Sequence, residues 1–308
     1  MTMNETLTIV AYMLAPAFFS LLGIAAFGSP VVALLSEIAA KTKSTVLYDK
    51  YGQQTGAMGL VLLALLLMVD IAAIGVAYVR FPQLIQTFMP LASAFFGVLI
   101  AMGCFVVFSL IYFLTWKKMR QAKGLHLMLG GVAALASILC IALGVPAKLM
   151  IGLPAEVAQA QVQLDLQSMI VPMAVMYTIL TLSAAAGLSC VYLVLRRNKD
   201  DFGRDYYNFA LKLAARWATL PMFGFLACQG WLFAVLPENF RIMTLGTPLG
   251  IIWAVGTGLG VICAIIWILI ARSTAPLQLK GLTFLAAGLL WLMHVANSTV
   301  FVNFMTMF

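Results

Sequence analysis

Residues 247–271 read TPLGIIWAVGTGLGVICAIIWILIA, with no charged side chain in the whole stretch. A bilayer's hydrocarbon core is spanned by about 20 predominantly apolar residues in a helix. Outward from it, comparable runs recur at 8–36, 55–80, 88–116, 125–151, 167–195, 208–236 and 280–306. The composition agrees. Of 308 residues, 64% are hydrophobic and 9% are charged, where a soluble domain carries about 25% charged residues. So few charges cannot cover a water-facing surface, so lipid must be the solvent for most of it. The expected fold is all-α: a polytopic protein whose eight transmembrane helices form two four-helix bundles in a single transmembrane domain, 1–308. Met1–Thr6 has no basic region ahead of the first apolar run, so no cleavable signal peptide is expected.

The short connections set the orientation. Lys41, Lys43 and Lys50 follow the first run; Lys117, Lys118, Arg120 and Lys123 the third; Arg196, Arg197, Lys199 and Arg204 the fifth; Arg272 and Lys280 the seventh. The opposite connections hold only Arg80 and Arg241. Lys and Arg collect on the cytoplasmic side. The expectation is therefore cytoplasmic loops at Lys41–Gln54, Lys117–Lys123, Arg196–Tyr207 and Arg272–Lys280, with both termini outside the cell inner membrane. The net charge of +8 then reads as topology charge facing anionic lipid rather than a nucleic-acid surface. The connection from Gly152 to Leu166 is expected to form a short amphipathic element on the outer surface. Tyr48-Asp49-Lys50-Tyr51 and Arg204-Asp205-Tyr206-Tyr207, after the first and fifth runs, hint at two related halves.

Cys104, Cys140, Cys190, Cys228 and Cys263 each sit inside an apolar run without CxxC spacing. They read as small buried hydrophobes, not as disulfides or metal ligands. Ionisable groups inside a membrane are costly and face the bundle interior or a cavity. Asp70, Lys148, Lys212 and Arg216 are of this kind, and His126 and His294 are the only histidines. Counting from the expected helix starts, Asp70 lies roughly 22 Å deep and His294 roughly 21 Å at 1.5 Å per residue. The matched depth makes Asp70 and His294 the candidate quinol and proton site. The alternative for each is structural: an acid bonded to a neighbouring helix, and a histidine satisfied beside Asn297 and Ser298. His126 lies only about 5 Å deep, so a bis-histidine haem on His126 and His294 is not expected. A single b-type haem with His/Met ligation, through His294 or His126, remains as a secondary reading among eighteen methionines.

Three stretches carry a family resemblance. They are Tyr48-Asp49-Lys50-Tyr51-Gly52-Gln53-Gln54; Lys123-Gly124-Leu125-His126 with Ala136-Ser137-Ile138 and Pro146; and Gly187–Leu193 followed by Arg196-Arg197-Asn198-Lys199-Asp200-Asp201-Phe202. In this order they resemble subunit I of the cytochrome bd quinol oxidases. The resemblance implies a bd-like scaffold, contact with quinone and a place in a respiratory complex. This sequence departs from that family at its chemistry. The family's haem-ligating histidines in the first and fifth helices are replaced by Ala15-Pro16-Ala17-Phe18-Phe19 and Ile170-Val171-Pro172-Met173, residues 88–116 contain no acid, and about ten residues around Pro237 replace the long quinol loop. Oxygen reduction by this chain is not expected.

The functional expectation is an integral membrane subunit of a redox complex that meets quinone or anchors electron-transfer subunits. Its partners are the lipid bilayer, other membrane subunits and an extracytoplasmic cytochrome or iron–sulfur subunit. The alternatives are a secondary transporter, with helix breaks near Pro16, Gly28-Ser29-Pro30 and Pro221, and a cofactor-free assembly anchor.

Overall fold

The computed structural model describes residues 2–82, 94–150, 166, 168–200 and 202–306. The connection between Gly152 and Leu166, apart from Leu166 itself, and the first residues of the third apolar run lie outside them. The chain is a succession of helices: α1 (Met3–Lys43), α2 (Val46–Arg80), α3 (Ala94–Thr115), α4 (Lys123–Met150), α5 (Ile170–Asp200), α6 (Arg204–Val235), the short α7 (Glu238–Leu245), α8 (Pro248–Arg272) and α9 (Lys280–Thr306), the last preceded by a 3-10 turn, Pro276–Leu279. Eight of the helices are long and apolar enough to cross a membrane, and no strand occurs among the described residues.

Much of what reads as loop is helix. α1 runs for 41 residues, about 60 Å, roughly twice the hydrocarbon thickness. The turn between α1 and α2 is only Ser44 and Thr45, with Ser44 in the left-handed region (φ 51°) and its N–H donated to the Ala40 carbonyl. The expected loop Lys41–Gln54 is therefore the last turn of α1 and the first turns of α2. Likewise α5 continues to Asp200 and α6 starts at Arg204. Lys, Gln and Arg are good helix formers, so polar residues past the hydrocarbon extend a helix instead of ending it.

The prolines do not break helices. α1 passes through Pro16 and Pro30, and α6 through Pro221. Beside Pro30, the Ser29 hydroxyl donates to the Ala25 carbonyl at 2.7 Å. Packed neighbours and Ser side chains of this kind are what let proline sit inside membrane helices.

α1 to α4 form one four-helix bundle, and α5, α6, α8 and α9 the other. The bundles meet mainly where α1 crosses α5, flanked by α1 against α9 and α4 against α5. At the crossing a Cβ on Gly28 would stand 1.9 Å from the Thr181 carbonyl oxygen, and Ala184, Ala185 and Ala186 of α5 are fully buried. In lipid, apolar burial gives helices little reason to associate, so small residues that admit close backbone contact do the joining. The basic connections lie together at one end of this arrangement, the basic end. Toward the opposite end the first bundle opens, and from Met68 to Phe81 nearly every residue of α2 is exposed.

Candidate functional site

Asp70 lies on the open part of α2. Its depth can be set against that of His294 through α1. A Cβ on Gly23 of α1 would be 3.0 Å from the Leu66 side chain of α2. Asp70 is one turn beyond Leu66, and Ser20 is three residues beyond Gly23 in the same direction. Ser20 Oγ is 3.1 Å from His294 Nε2. At 1.5 Å per residue the two groups therefore differ in level by only about 2 Å along the bundle. Asp70 is half-buried, and His294 is 1% exposed. Lys148, near the end of α4, is accessible and close enough to interact electrostatically with both. α1 stands between α2 and α9, so the three groups sit around it rather than in a line.

The surroundings of His294 differ from the expectation. Its bonded neighbour is Ser20 on another helix, and Nδ1 is buried without a partner. Asn297 turns away from it, accepting from Gln229 Nε2 at 2.9 Å and donating to the Met293 carbonyl. The Trp253 indole N–H donates to Gln229. Gln229, Trp253 and Asn297 line a cavity of about 10 Å³ with Tyr177, Met173 and Phe301, enough for one water.

His126 belongs to a different cluster, near the basic end. Its Nδ1 lies 2.8 and 2.9 Å from the two carboxylate oxygens of Glu37 on α1. Its Nε2–H donates to the Tyr112 carbonyl at 3.0 Å, and the Tyr112 hydroxyl donates to Glu37 Oε2 at 3.0 Å. The rings of Tyr112 and Trp116 pack on the imidazole, with centroids 4.5 and 4.9 Å away. Room for those rings comes from Gly130 and Gly52, where a Cβ would lie 2.7 Å from Tyr112 and 2.9 Å from Trp116. Glu37, Tyr112 and His126 are all buried. At the mouth of this cluster Lys123 Nζ is 3.8 Å from Asp49.

The first and third of the stretches that carry the family resemblance meet at the basic end, between the bundles. Gln54 donates to Asp200 at 3.0 Å and accepts from the Tyr206 hydroxyl at 2.7 Å. Arg196 holds both carboxylate oxygens of Asp200 at 3.0 and 2.7 Å. Ser189 spends its proton on the Ala186 carbonyl, so Tyr51 donates to Ser189 Oγ, at 2.9 Å. α2 is thereby stitched to α5 and α6.

Haem, which a bd-like scaffold raises, does not suit the donors present. Both ring nitrogens of His126 are committed to Glu37 and Tyr112, so the secondary reading of His126 as an axial ligand conflicts with its bonding. His294 has one nitrogen without a hydrogen-bond partner, but it is buried among packed side chains. Among the described residues no group of three His, Cys, Asp or Glu is placed to hold a metal ion.

No protein-family model and no curated protein matches the sequence. The fold does have a solved counterpart. A chain in the structure of bd oxidase from Geobacillus thermodenitrificans superposes with a TM-score of 0.76 at 11% identity, over 98% of this chain and 88% of that one. At that identity the likeness is one of architecture. This chain is a multi-pass helical membrane protein with the fold of a bd oxidase chain.

Proposed function

We propose that the chain is a membrane subunit of a redox complex and meets quinol at the level of Asp70, Lys148 and His294. The observation that carries this is an acid on the lipid-open face of α2, with an accessible amine on α4 within electrostatic reach, at the depth of a buried, half-satisfied histidine on the far side of α1. A quinol is lipid-borne and loses two protons with its two electrons. In this reading Asp70, as the carboxylate, takes one proton, Lys148 holds that carboxylate until it does, His294 Nδ1 accepts a hydrogen bond from a quinol hydroxyl, and the second proton leaves to water. The electrons pass to a partner subunit, an extracytoplasmic cytochrome or iron–sulfur protein. In this reading the basic end faces the cytoplasm and both termini lie outside the inner membrane. The transporter reading needs broken helices in matched places, whereas Pro16, Pro30 and Pro221 all lie inside continuous helices.

The test is Asp70→Asn in the complex as it copurifies from membranes. Unchanged subunit content with quinol-dependent electron transfer slowed by about 10²-fold or more, the scale of a lost general base, supports the site. Unchanged turnover overturns it.

A further inference from the structure

The cluster at the basic end has a chemistry of its own, which does not depend on the quinol site. The Tyr112 carbonyl can only accept, so His126 Nε2 carries a hydrogen. The Tyr112 hydroxyl already donates to one oxygen of Glu37. Nδ1 lies within 2.9 Å of both oxygens of that carboxyl, and a bond there requires one proton. That proton sits either on Nδ1, giving imidazolium and carboxylate, or on Glu37, giving two neutral groups. Both arrangements are neutral overall, so passing the proton between the partners leaves no net charge in the apolar bundle.

We propose that Glu37 and His126 share one exchangeable proton and form a proton-binding site that trades with solvent at the basic end of the first bundle. The way in is short. His126 lies one turn from Lys123, whose side chain is 45% exposed and pairs with Asp49. Asp49 is close enough to act electrostatically on both His126 and Tyr112. The charged and titratable groups facing the pair are thus Asp49 of α2, Tyr112 of α3 and Lys123 of α4. Loss of the shared proton leaves one negative charge on the cluster, next to the Tyr112 hydroxyl and near the Lys123 ammonium. A buried ion pair is often no more stabilising than well-packed apolar side chains, so packing alone gives little reason for this set.

The chain has only two histidines, which makes the test direct. The full chain, labelled with ¹⁵N-histidine and held in lipid nanodiscs, gives two imidazole spectra, and His294→Asn removes one. The expected result is a His126 Nδ1 signal that moves in a single step between about pH 5 and 10, the interval from carboxylate to lysine titration, and a proton there that exchanges with deuterated water. Glu37→Gln should abolish the step and leave Nε2 as the only protonated nitrogen. An unmoving, non-exchanging Nδ1 signal overturns the proposal, as does a step that survives Glu37→Gln. Should that variant fail to fold, Glu37→Asp decides: a step with a displaced midpoint supports the shared proton, and the wild-type midpoint overturns it.

Discussion

Glu37 and His126 show how a single side chain depends on its partner. Removing one member of a buried pair leaves the other uncompensated, at a cost of about 3–5 kcal/mol. Glu37→Ala and His126→Ala should each lower the unfolding midpoint of the detergent-solubilised protein sharply. Replacing both with apolar residues of similar volume, Glu37→Met with His126→Leu, should recover most of that loss. A double variant as unstable as the sum of the singles would contradict the pairing. The histidine was visible in the sequence; its acid was not. Glu37 sits one residue past the expected end of the first apolar run, where a carboxylate reads as a solvated loop charge. Continuation of α1 to Lys43 brings it inside. The available signal was shared level: Glu37, Tyr112 and His126 all lie within two turns of a basic connection.

For single helices, periodicity and apolar length fix existence far better than ends. The eight spans were legible because lipid demands an uninterrupted apolar run. The ends were not, because α1, α2, α5 and α6 continue through polar residues that the hydrocarbon limit does not govern. How the helices meet was also hidden, since it turns on small residues that a hydropathy reading counts as filler. Gly28→Val is expected to force α1 off the Thr181 carbonyl and to abolish recovery of folded protein in mild detergent, read by size-exclusion chromatography. Pro16→Ala, at a proline that α1 already accommodates near its exposed part, should change the unfolding midpoint by no more than about 1 kcal/mol equivalent. A large loss there would mean that the proline shapes the helix after all.

The molecule as a whole shares the architecture of a bd oxidase chain, while α1 and α5 contain no histidine. With only two histidines, at different depths, the isolated chain should bind fewer than two haems, which a pyridine haemochrome assay measures. The basic residues give a second expectation. In a variant cleared of native cysteines, a cysteine placed beside Arg120 should resist an impermeant thiol reagent added outside intact cells and react once the cells are opened. Labelling from outside would invert the topology. Overall architecture was legible because apolar length acts on the whole chain. The meeting of Gln54, Asp200 and Tyr206 was not, because it depends on tertiary placement across 152 residues.

The bond between Ser20 and His294 joins residues 274 positions apart, and it ties α1 of the first bundle to α9 of the second. α1 leaves the ribosome well before α9, a neighbour it needs. During synthesis α1 must wait in the bilayer with that flank against lipid or a chaperone. Chains arrested before residue 280 should therefore insert and still be recognised by membrane quality-control proteases. Resistance to proteolysis should appear only when α9 arrives.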